Sequence, residues 1–363
     1  MTLPTKTRRM DDSQRAFLDE LLTTPSPSGF ETRGQRVWVD YVSEFADRVE
    51  TDAYGNAIAV HEGDNEVDTE FAVGGHADEI GFIVRDIVDD GFLRIARVGG
   101  SDRTVSKGQH VTVHTDDGPV QGVIGQTAIH LREGDEEYED ISEQFVDVGA
   151  ADDDDAEGLV SIGDPVTFSS GIQELANSRV AARGMDNRVG TWVAAEALRR
   201  AAEAGADATV YAVSTVQEEV GLKGAQMVGF GIDPDAYVAV DVTHATDNPD
   251  VAGSNRGPVE LSEGPVVGRG SANHPKLVDL ARESGDDDDV DYQFQAAGSR
   301  TGTDADGVFT QRGGVPSLNI GIPNRYMHTP VEVVDTEDLD AVADLCAGMA
   351  ERADAHEPFE VDI

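Results

Sequence analysis

The sequence has few cysteines and no long apolar run. Cys346 is the only cysteine among 363 residues, which excludes an internal disulfide and any site built from several thiolates. Its place in an apolar pattern of a C-terminal helix predicts a packed core residue. No run of about 18 apolar residues occurs, and Met1–Met10 is charged without an apolar segment. We therefore expect no membrane partner and a cytoplasmic location.

Basic residues are also scarce. Lysine and arginine number 27 against 71 acidic residues, for a formal net charge of -44. This surplus resembles that of halophilic proteins, because at molar salt a Debye length of about 3 Å screens the self-repulsion. It argues against nucleic acid or anionic membranes as partners. The acidic runs 152–155 and 286–289 are interpreted as loop or halophilic surface, not as metal sites.

The chain alternates between helical and strand patterns, with one interruption. Strand-like runs before His76 and after about Ser178, separated by helical patterns, predict a mixed, mostly parallel sheet with helices on both faces, an α/β fold. Between them, short β-like runs separated by turn residues predict an inserted all-β module. The predicted division places residues 1–79 and 171–363 in the α/β domain and residues 80–170 in the insertion.

Metal-type side chains follow the apolar runs. The runs 71–75, 209–216, 237–240 and 316–323 lead to His76, the pair Glu218-Glu219, Asp241 and His328. Because ligand sites of open α/β sheets lie beyond the carboxyl ends of the strands, one crevice is expected to collect these side chains. Asp186, at the start of a helical pattern, is a fifth candidate, with a helix N-cap as its alternative role.

Two imidazoles and several carboxylates suit a pair of divalent ions. Two such ions that share a carboxylate and a water can hydrolyse an unactivated amide, because they polarise the carbonyl and activate water near neutral pH. The adjacent acids Glu218 and Glu219 would repel each other unless one binds metal and the other holds a proton. Asp78, two residues after His76, is placed to orient that ring.

Five ordered blocks resemble one peptidase family. They read Gly-His-Ala-Asp-Glu-Ile-Gly, Met-Asp-Asn-Arg-Val-Gly, Gln-Glu-Glu-Val-Gly-Leu-Lys-Gly-Ala, Val-Asp-Val and Arg-Tyr-Met-His-Thr-Pro-Val-Glu. The series is similar to that of the M42 dinuclear metallo-aminopeptidases, the tetrahedral aminopeptidases, between Ser26 and Ala350. The β insertion after the first histidine favours M42 over the related M28 and M20 peptidases.

The resemblance implies two zinc or cobalt ions held in two subsites that share one carboxylate. Asp186 would bridge the two ions. His76 and Asp241 would complete one subsite. Glu219 and His328 would complete the other.

The resemblance also implies the catalytic roles. Glu218 would be the general base, which requires a pKa raised towards neutrality by burial beside another carboxylate. Asp78 would orient His76. Asn187 stands where the family often has aspartate, and we expect this difference to affect hydrogen bonding around the ions more than their number.

The expected activity is removal of N-terminal residues from short peptides. The resemblance further implies that the insertion is a β-barrel or PDZ-like dimerisation domain, and that subunits self-associate into dimers and a hollow tetrahedral dodecamer. Deacylation of N-acyl amino acids remains an alternative. Glycan hydrolysis, as by an endoglucanase, ranks last because glycosidases generally use two carboxylates without paired histidines.

A non-catalytic peptide-binding assembly is the remaining alternative. The presence of Glu218 together with all five presumed ligands weighs against it. The loop containing Arg300, Thr303 and Asp304, and the preceding pair Asn273-His274, are candidates for lining the substrate pocket.

Overall fold

The structure of the protein is a computed structural model that describes residues 9–64, 66–132, 138–251 and 257–363. The helices of these ranges are α1 (Asp12–Thr23), α2 (Thr32–Val42), α3 (Arg103–Ser106), α4 (Asp153–Glu157), α5 (Met185–Ala204), α6 (Lys223–Gly231), α7 (Pro275–Asp288), α8 (Asp304–Val308) and α9 (Thr336–His356). None of them is long and apolar enough to cross a membrane.

The strands, in chain order, alternate with these helices except in one stretch. They are β1 (Arg48–Thr51), β2 (Ala57–His61), β3 (Glu70–His76), β4 (Gly81–Ile87), β5 (Leu93–Val98), β6 (Gln109–Thr115), β7 (Gly118–Ile124), β8 (Phe145–Asp147), β9 (Pro165–Phe168), β10 (Gln173–Glu174), β11 (Arg179–Ala182), β12 (Thr209–Thr215), β13 (Ala236–His244), β14 (Val266–Arg269), β15 (Gln293–Ala296), β16 (Ser317–Asn324) and β17 (Glu332–Asp335).

One large sheet carries the α/β part of the chain. Its strand order is β1-β2-β12-β3-β13-β16-β14-β15, and the four central strands β12, β3, β13 and β16 run parallel. The main core cluster joins one face of the sheet to α1, α2, α5, α7 and α9. A second cluster joins the other face to α6 and α8. The predicted mixed sheet with helices on both faces is confirmed.

The β-rich stretch forms a closed barrel. Its strands follow the order β4-β5-β8-β7-β6-β9 around the barrel and lie between Gly81 and Phe168. The interior is a hydrophobic cluster of its own, with Phe82, Ile95 and Val113 fully buried. The predicted all-β barrel is therefore present, inserted directly after β3.

The central strands separate where the candidate site lies. Strands β3 and β13 pair from Phe71 to Gly74, whereas β12 stays paired with β3 as far as His76. Beyond this point β13 continues to pair with β16. The sequence pattern placed Asp241 at the end of its strand, but β13 runs on to His244. Asp241 therefore faces a gap between strands.

The two acidic runs adopt more structure than a loop interpretation suggests. Asp152 caps the short, exposed helix α4 by accepting the backbone N–H of Asp155 at 3.0 Å. In the second run, α7 continues through Asp288, whose carboxylate accepts hydrogen bonds from Arg352 at 2.5 and 2.8 Å. Both runs lie at the surface, but helical spacing decides which acids pair.

Candidate metal centre

The structure brings all six predicted metal-type and base residues into two adjacent groups. They are His76, Glu218 and Asp241 in the first group, and Asp186, Glu219 and His328 in the second, with the potential ligand atoms of each group within 4.8 Å of one another. The groups lie at the carboxyl ends of the central strands, where the predicted crevice was expected.

Asp186 lies between the two imidazoles. Its Oδ1 is 3.1 Å from His76 Nε2 and its Oδ2 is 3.1 Å from His328 Nε2. The helix start is taken by Gly184 in a left-handed conformation, while Asp186 itself has non-helical dihedrals (φ −74°, ψ 101°). The alternative N-cap role of Asp186 is therefore wrong, because its two oxygens face one histidine each.

Asp78 organises the loop that carries the glutamates. Its carboxylate accepts the backbone N–H of Glu218 at 3.0 Å, the N–H of Glu219 at 3.2 Å and the Ser28 hydroxyl at 2.6 Å. His76 Nδ1 lies 3.1 Å from the Asp78 backbone carbonyl and 3.4 Å from its carboxylate. Asp78 thus holds both glutamates as well as the ring that the sequence predicted it to orient.

Glu332 supports the second group and was missed by the sequence interpretation. Its Oε1 accepts the backbone N–H of His328 at 2.9 Å and its Oε2 accepts that of Asp186 at 3.3 Å. His328 adopts a left-handed backbone conformation (φ 63°), which is unfavourable for a residue with a side chain. Glu332 stabilises this turn. Its position four residues after His328 was the only sequence signal.

Asn187 closes the gap between the separating strands. Its Nδ2 donates to the Val240 carbonyl at 2.8 Å, and its Oδ1 accepts the Gly190 N–H at 3.1 Å. An ionised aspartate has no donor for Val240. The role expected for this position, hydrogen bonding beside the ligands, agrees with these contacts.

The glutamate pair carries raised pKa values. Burial raises the pKa of Glu218 to about 9, helped by repulsion from Asp304 and Glu219 and opposed by His76. Burial likewise raises the pKa of Glu219 to about 8, helped by Asp186. Carboxylates gathered in a poorly solvated place favour protonation unless cations neutralise them.

The two histidines respond in the opposite sense. Burial lowers the pKa of His328, but its hydrogen bond to Asp186 and the nearby carboxylates outweigh this effect and raise the pKa to about 10. The pKa of His76 is also raised well above its usual value, since Glu218 and Asp186 outweigh burial. The cluster as a whole attracts positive charge.

The donor set fits divalent metal ions. Glu219 Oε1 is buried and has no hydrogen-bond partner among the described residues, its nearest cationic neighbour being His328 Nε2 at 3.5 Å. A buried acceptor without a donor is costly, and a cation would satisfy it. Imidazole nitrogens with carboxylate oxygens are ligands that zinc and cobalt accept.

A cavity of about 760 Å³ opens beside His328. Gly100, Arg97, Arg103 and Met327 line part of it. Access from solvent therefore reaches the second group, whose His328 ring is 33% exposed.

The predicted pocket-lining residues have different fates. Asp304 is buried and accepts the Thr215 hydroxyl at 2.5 Å, and its charge acts on Glu218. Thr303 caps α8. Asn273 is engaged with Gly270 and Asn319.

Two of these residues remain without a defined role. Arg300 is exposed, and burial lowers the pKa of His274. Their predicted contact with substrate stays a prediction.

A two-face α/β sheet with an inserted barrel, and a buried cluster of histidines and carboxylates at its strand ends, define a peptidase of the metal-dependent class. The chain belongs to the M42 peptidase family. The family model that matches residues 55–345 is described as M42 glutamyl aminopeptidase.

Known proteins similar to this chain are aminopeptidases. The lysyl aminopeptidase of Pyrococcus furiosus is 34% identical, over 93% of this chain and 96% of the relative. The structure of a TET aminopeptidase from a Thaumarchaeota archaeon has a TM-score of 0.90 at 29% identity, covering 96% of this chain and 100% of that one. The Pyrococcus horikoshii TET1 peptidase, described as able to assemble into a tetrahedron or a large octahedral shell, has a TM-score of 0.81 at 29% identity, with 93% and 99% covered.

Proposed function

We propose that the protein is a dinuclear metallo-aminopeptidase that releases N-terminal residues from short peptides. The observation that carries the proposal is the position of Asp186, with one carboxylate oxygen 3.1 Å from each imidazole. A carboxylate shared in this way suits two ions a few ångströms apart. His76 and Asp241 would hold one ion, and Glu219 and His328 the other.

The proposed chemistry is hydrolysis of the first peptide bond. Two zinc or cobalt ions, when bound, would supply polarisation of the scissile carbonyl and a more acidic water. Glu218 takes a proton from that water as its oxygen bonds to the carbonyl carbon, and passes the proton to the leaving nitrogen when the C–N bond breaks. The raised pKa of Glu218, about 9, supports its ability to hold a proton during this transfer.

We further propose that residues 80–170 form a dimerisation domain and that subunits build a dodecamer. Two features support this proposal. A similar protein, the Pyrococcus horikoshii TET1 peptidase, can assemble into a tetrahedron or a large octahedral shell. Large apolar side chains are exposed on one barrel segment, with Ile129 68%, Leu131 75% and Tyr138 66% exposed.

The function is tested by amino-acid release from matched free and N-acetylated short peptides, in molar KCl with zinc or cobalt. We expect release from the free peptides only, and its loss in Asp186→Asn, which keeps the shape of the side chain but removes the charge between the imidazoles. Release from the acetylated peptides instead would move the deacylase alternative to the front. Inactivity on both would contradict the proposal.

Metal binding is expected to raise the stability of the protein. An ion that binds only the folded state adds about 2.7 kcal/mol at a free concentration of 100 times its Kd. The thermal midpoint should therefore rise when zinc is added to chelator-treated protein, and the rise should shrink as the pH falls, because His76 and His328 must lose protons to bind. An equal rise in Asp186→Asn would show that the ions bind elsewhere.

A further inference from the structure

A glycine turn of the barrel reaches the second metal group. Gly99 and Gly100 follow β5, which ends at Val98, and they precede the short helix α3. The Gly100 carbonyl oxygen lies 3.3 Å from His328 Nδ1, although the two residues are 228 positions apart in the chain. The barrel thus contacts a presumed ligand of the α/β part.

Neither glycine leaves room for a side chain. A methyl group on Gly100 would lie 2.3 Å from His328 Nδ1 and 2.4 Å from Cε1. A methyl group on Gly99 would lie 3.0 Å from Glu219 Oε2 and 3.2 Å from its Cβ. Both residues that the turn touches belong to the second group, and neither belongs to the first.

The Gly100 carbonyl also sets the orientation of the His328 ring. When Nδ1 carries the proton and donates it to this carbonyl, Nε2 is left as the free ligand atom, and Nε2 is the atom that faces Asp186 and Glu219. Histidines that bind metals usually need such a partner on the other nitrogen. For His76 the partner is Asp78, on the same loop. For His328 it comes from the barrel.

We propose that the Gly99–Gly100 turn is a positioning element of the second metal subsite, which holds His328 and Glu219 in the geometry needed to bind an ion. This inference rests on the proposed dinuclear function. It makes the barrel part of the metal centre, in addition to any role in self-association. The first subsite, built from His76 and Asp241 on sheet strands, does not depend on the turn.

The test is metal titration of Gly100→Ala against the wild type, by calorimetry and by the absorption of bound cobalt. We expect the wild type to bind two ions. In the variant, one ion should bind as before, and the other about 10- to 100-fold more weakly, as when a supporting partner of a ligand is lost. Activity should recover at high metal concentration, because mass action refills the weakened subsite.

Two matched controls separate this effect from a general defect of the barrel. Gly125→Ala adds a methyl group in the same module with nothing within 4 Å, and it should leave both affinities unchanged. Gly99→Ala is a second test that presses on Glu219 instead of His328. Because Gly99 has a φ of +62°, its control is Gly108→Ala, at φ +82° with open space around it. Circular dichroism shows whether each variant is folded.

The possible outcomes distinguish this inference from the function on which it rests. If the wild type binds fewer than two ions, the dinuclear function itself fails. If the wild type binds two ions, and folded Gly100→Ala and Gly99→Ala bind both with unchanged affinity, the turn has no positioning role and only this inference is overturned. Loss of both ions in either variant also overturns it, because the selectivity for the second subsite is absent.

Discussion

Glu218→Gln is expected to lower kcat by about 10²- to 10⁴-fold, the usual contribution of a general acid–base, while the protein retains two metal ions. The amide has nearly the shape of the carboxylate but cannot accept the proton of the attacking water. Because Asp78 binds the backbone N–H of residue 218 and not its side chain, the loop should keep its position. Peptide turnover and metal content measured on the same sample check this prediction.

The adjacent Glu219→Gln is the matched comparison. Glu219 belongs to the group of Asp186 and His328, so its variant should lose one ion and lose activity as a consequence. Glu218 also lies near His76, at 3.9 Å from its Nε2, and ligation by Glu218 is the competing role. If Glu218→Gln lost an ion and recovered activity with excess metal, Glu218 would be a ligand and the proposed base would be wrong.

Glu79→Gln is expected to lower the free energy of unfolding by about 3–5 kcal/mol, the usual cost of breaking a buried ion pair by removing one partner. Glu79 is 2% exposed. It pairs with Arg188 through contacts of 2.9 and 3.1 Å and with Arg183 through a further contact. Removal of its charge leaves two arginines without their counter-ion. Urea unfolding in molar KCl measures the difference.

The effect of this substitution should depend on pH in a defined direction. Burial raises the pKa of Glu79, but Arg183 and Arg188 outweigh it and lower the pKa from 4.5 to about 2. A lowered pKa in the folded state stabilises the protein above the unfolded pKa, and this contribution is lost as the pH falls from 4.5 towards 2. The difference between wild type and variant should therefore be constant near neutrality and shrink in acid.

The exposed Glu44 provides the control for this prediction. Glu44→Gln should change the free energy of unfolding by less than about 0.5 kcal/mol, as surface substitutions usually do. Equal small effects of Glu44→Gln and Glu79→Gln at neutral pH would mean that the buried arginines are neutralised by other groups. A difference that does not vary with pH would also contradict the lowered pKa of Glu79.

Much of the candidate site could be predicted because strand ends converge. His76 ends β3 and the pair Glu218-Glu219 follows β12, as their apolar runs indicated. Parallel neighbours bring such ends to one edge of the sheet. The family resemblance added Asp186, whose local sequence also fits a helix cap. Only its position between two imidazoles decides between the two roles.

The supporting contacts could not be predicted, because they join distant segments. The Glu332 carboxylate meets the Asp186 N–H across 146 positions, and the Ser28 hydroxyl meets Asp78 across 50. With 71 acidic residues in the chain, composition gives no means of selecting Glu332 or Glu79. Burial selects them, since a carboxylate removed from water must find donors or cations.

The sequence by itself determined the kinds of ligand, their order along the chain, and the succession of α/β and β-rich segments, because apolar periodicity and turn residues are local properties. Only the tertiary structure decided which oxygen of Asp186 faces which histidine, and that a barrel turn supports His328. These features depend on where β3 and β13 separate and on how the barrel packs against the sheet. Both are results of long-range packing, which no local pattern encodes.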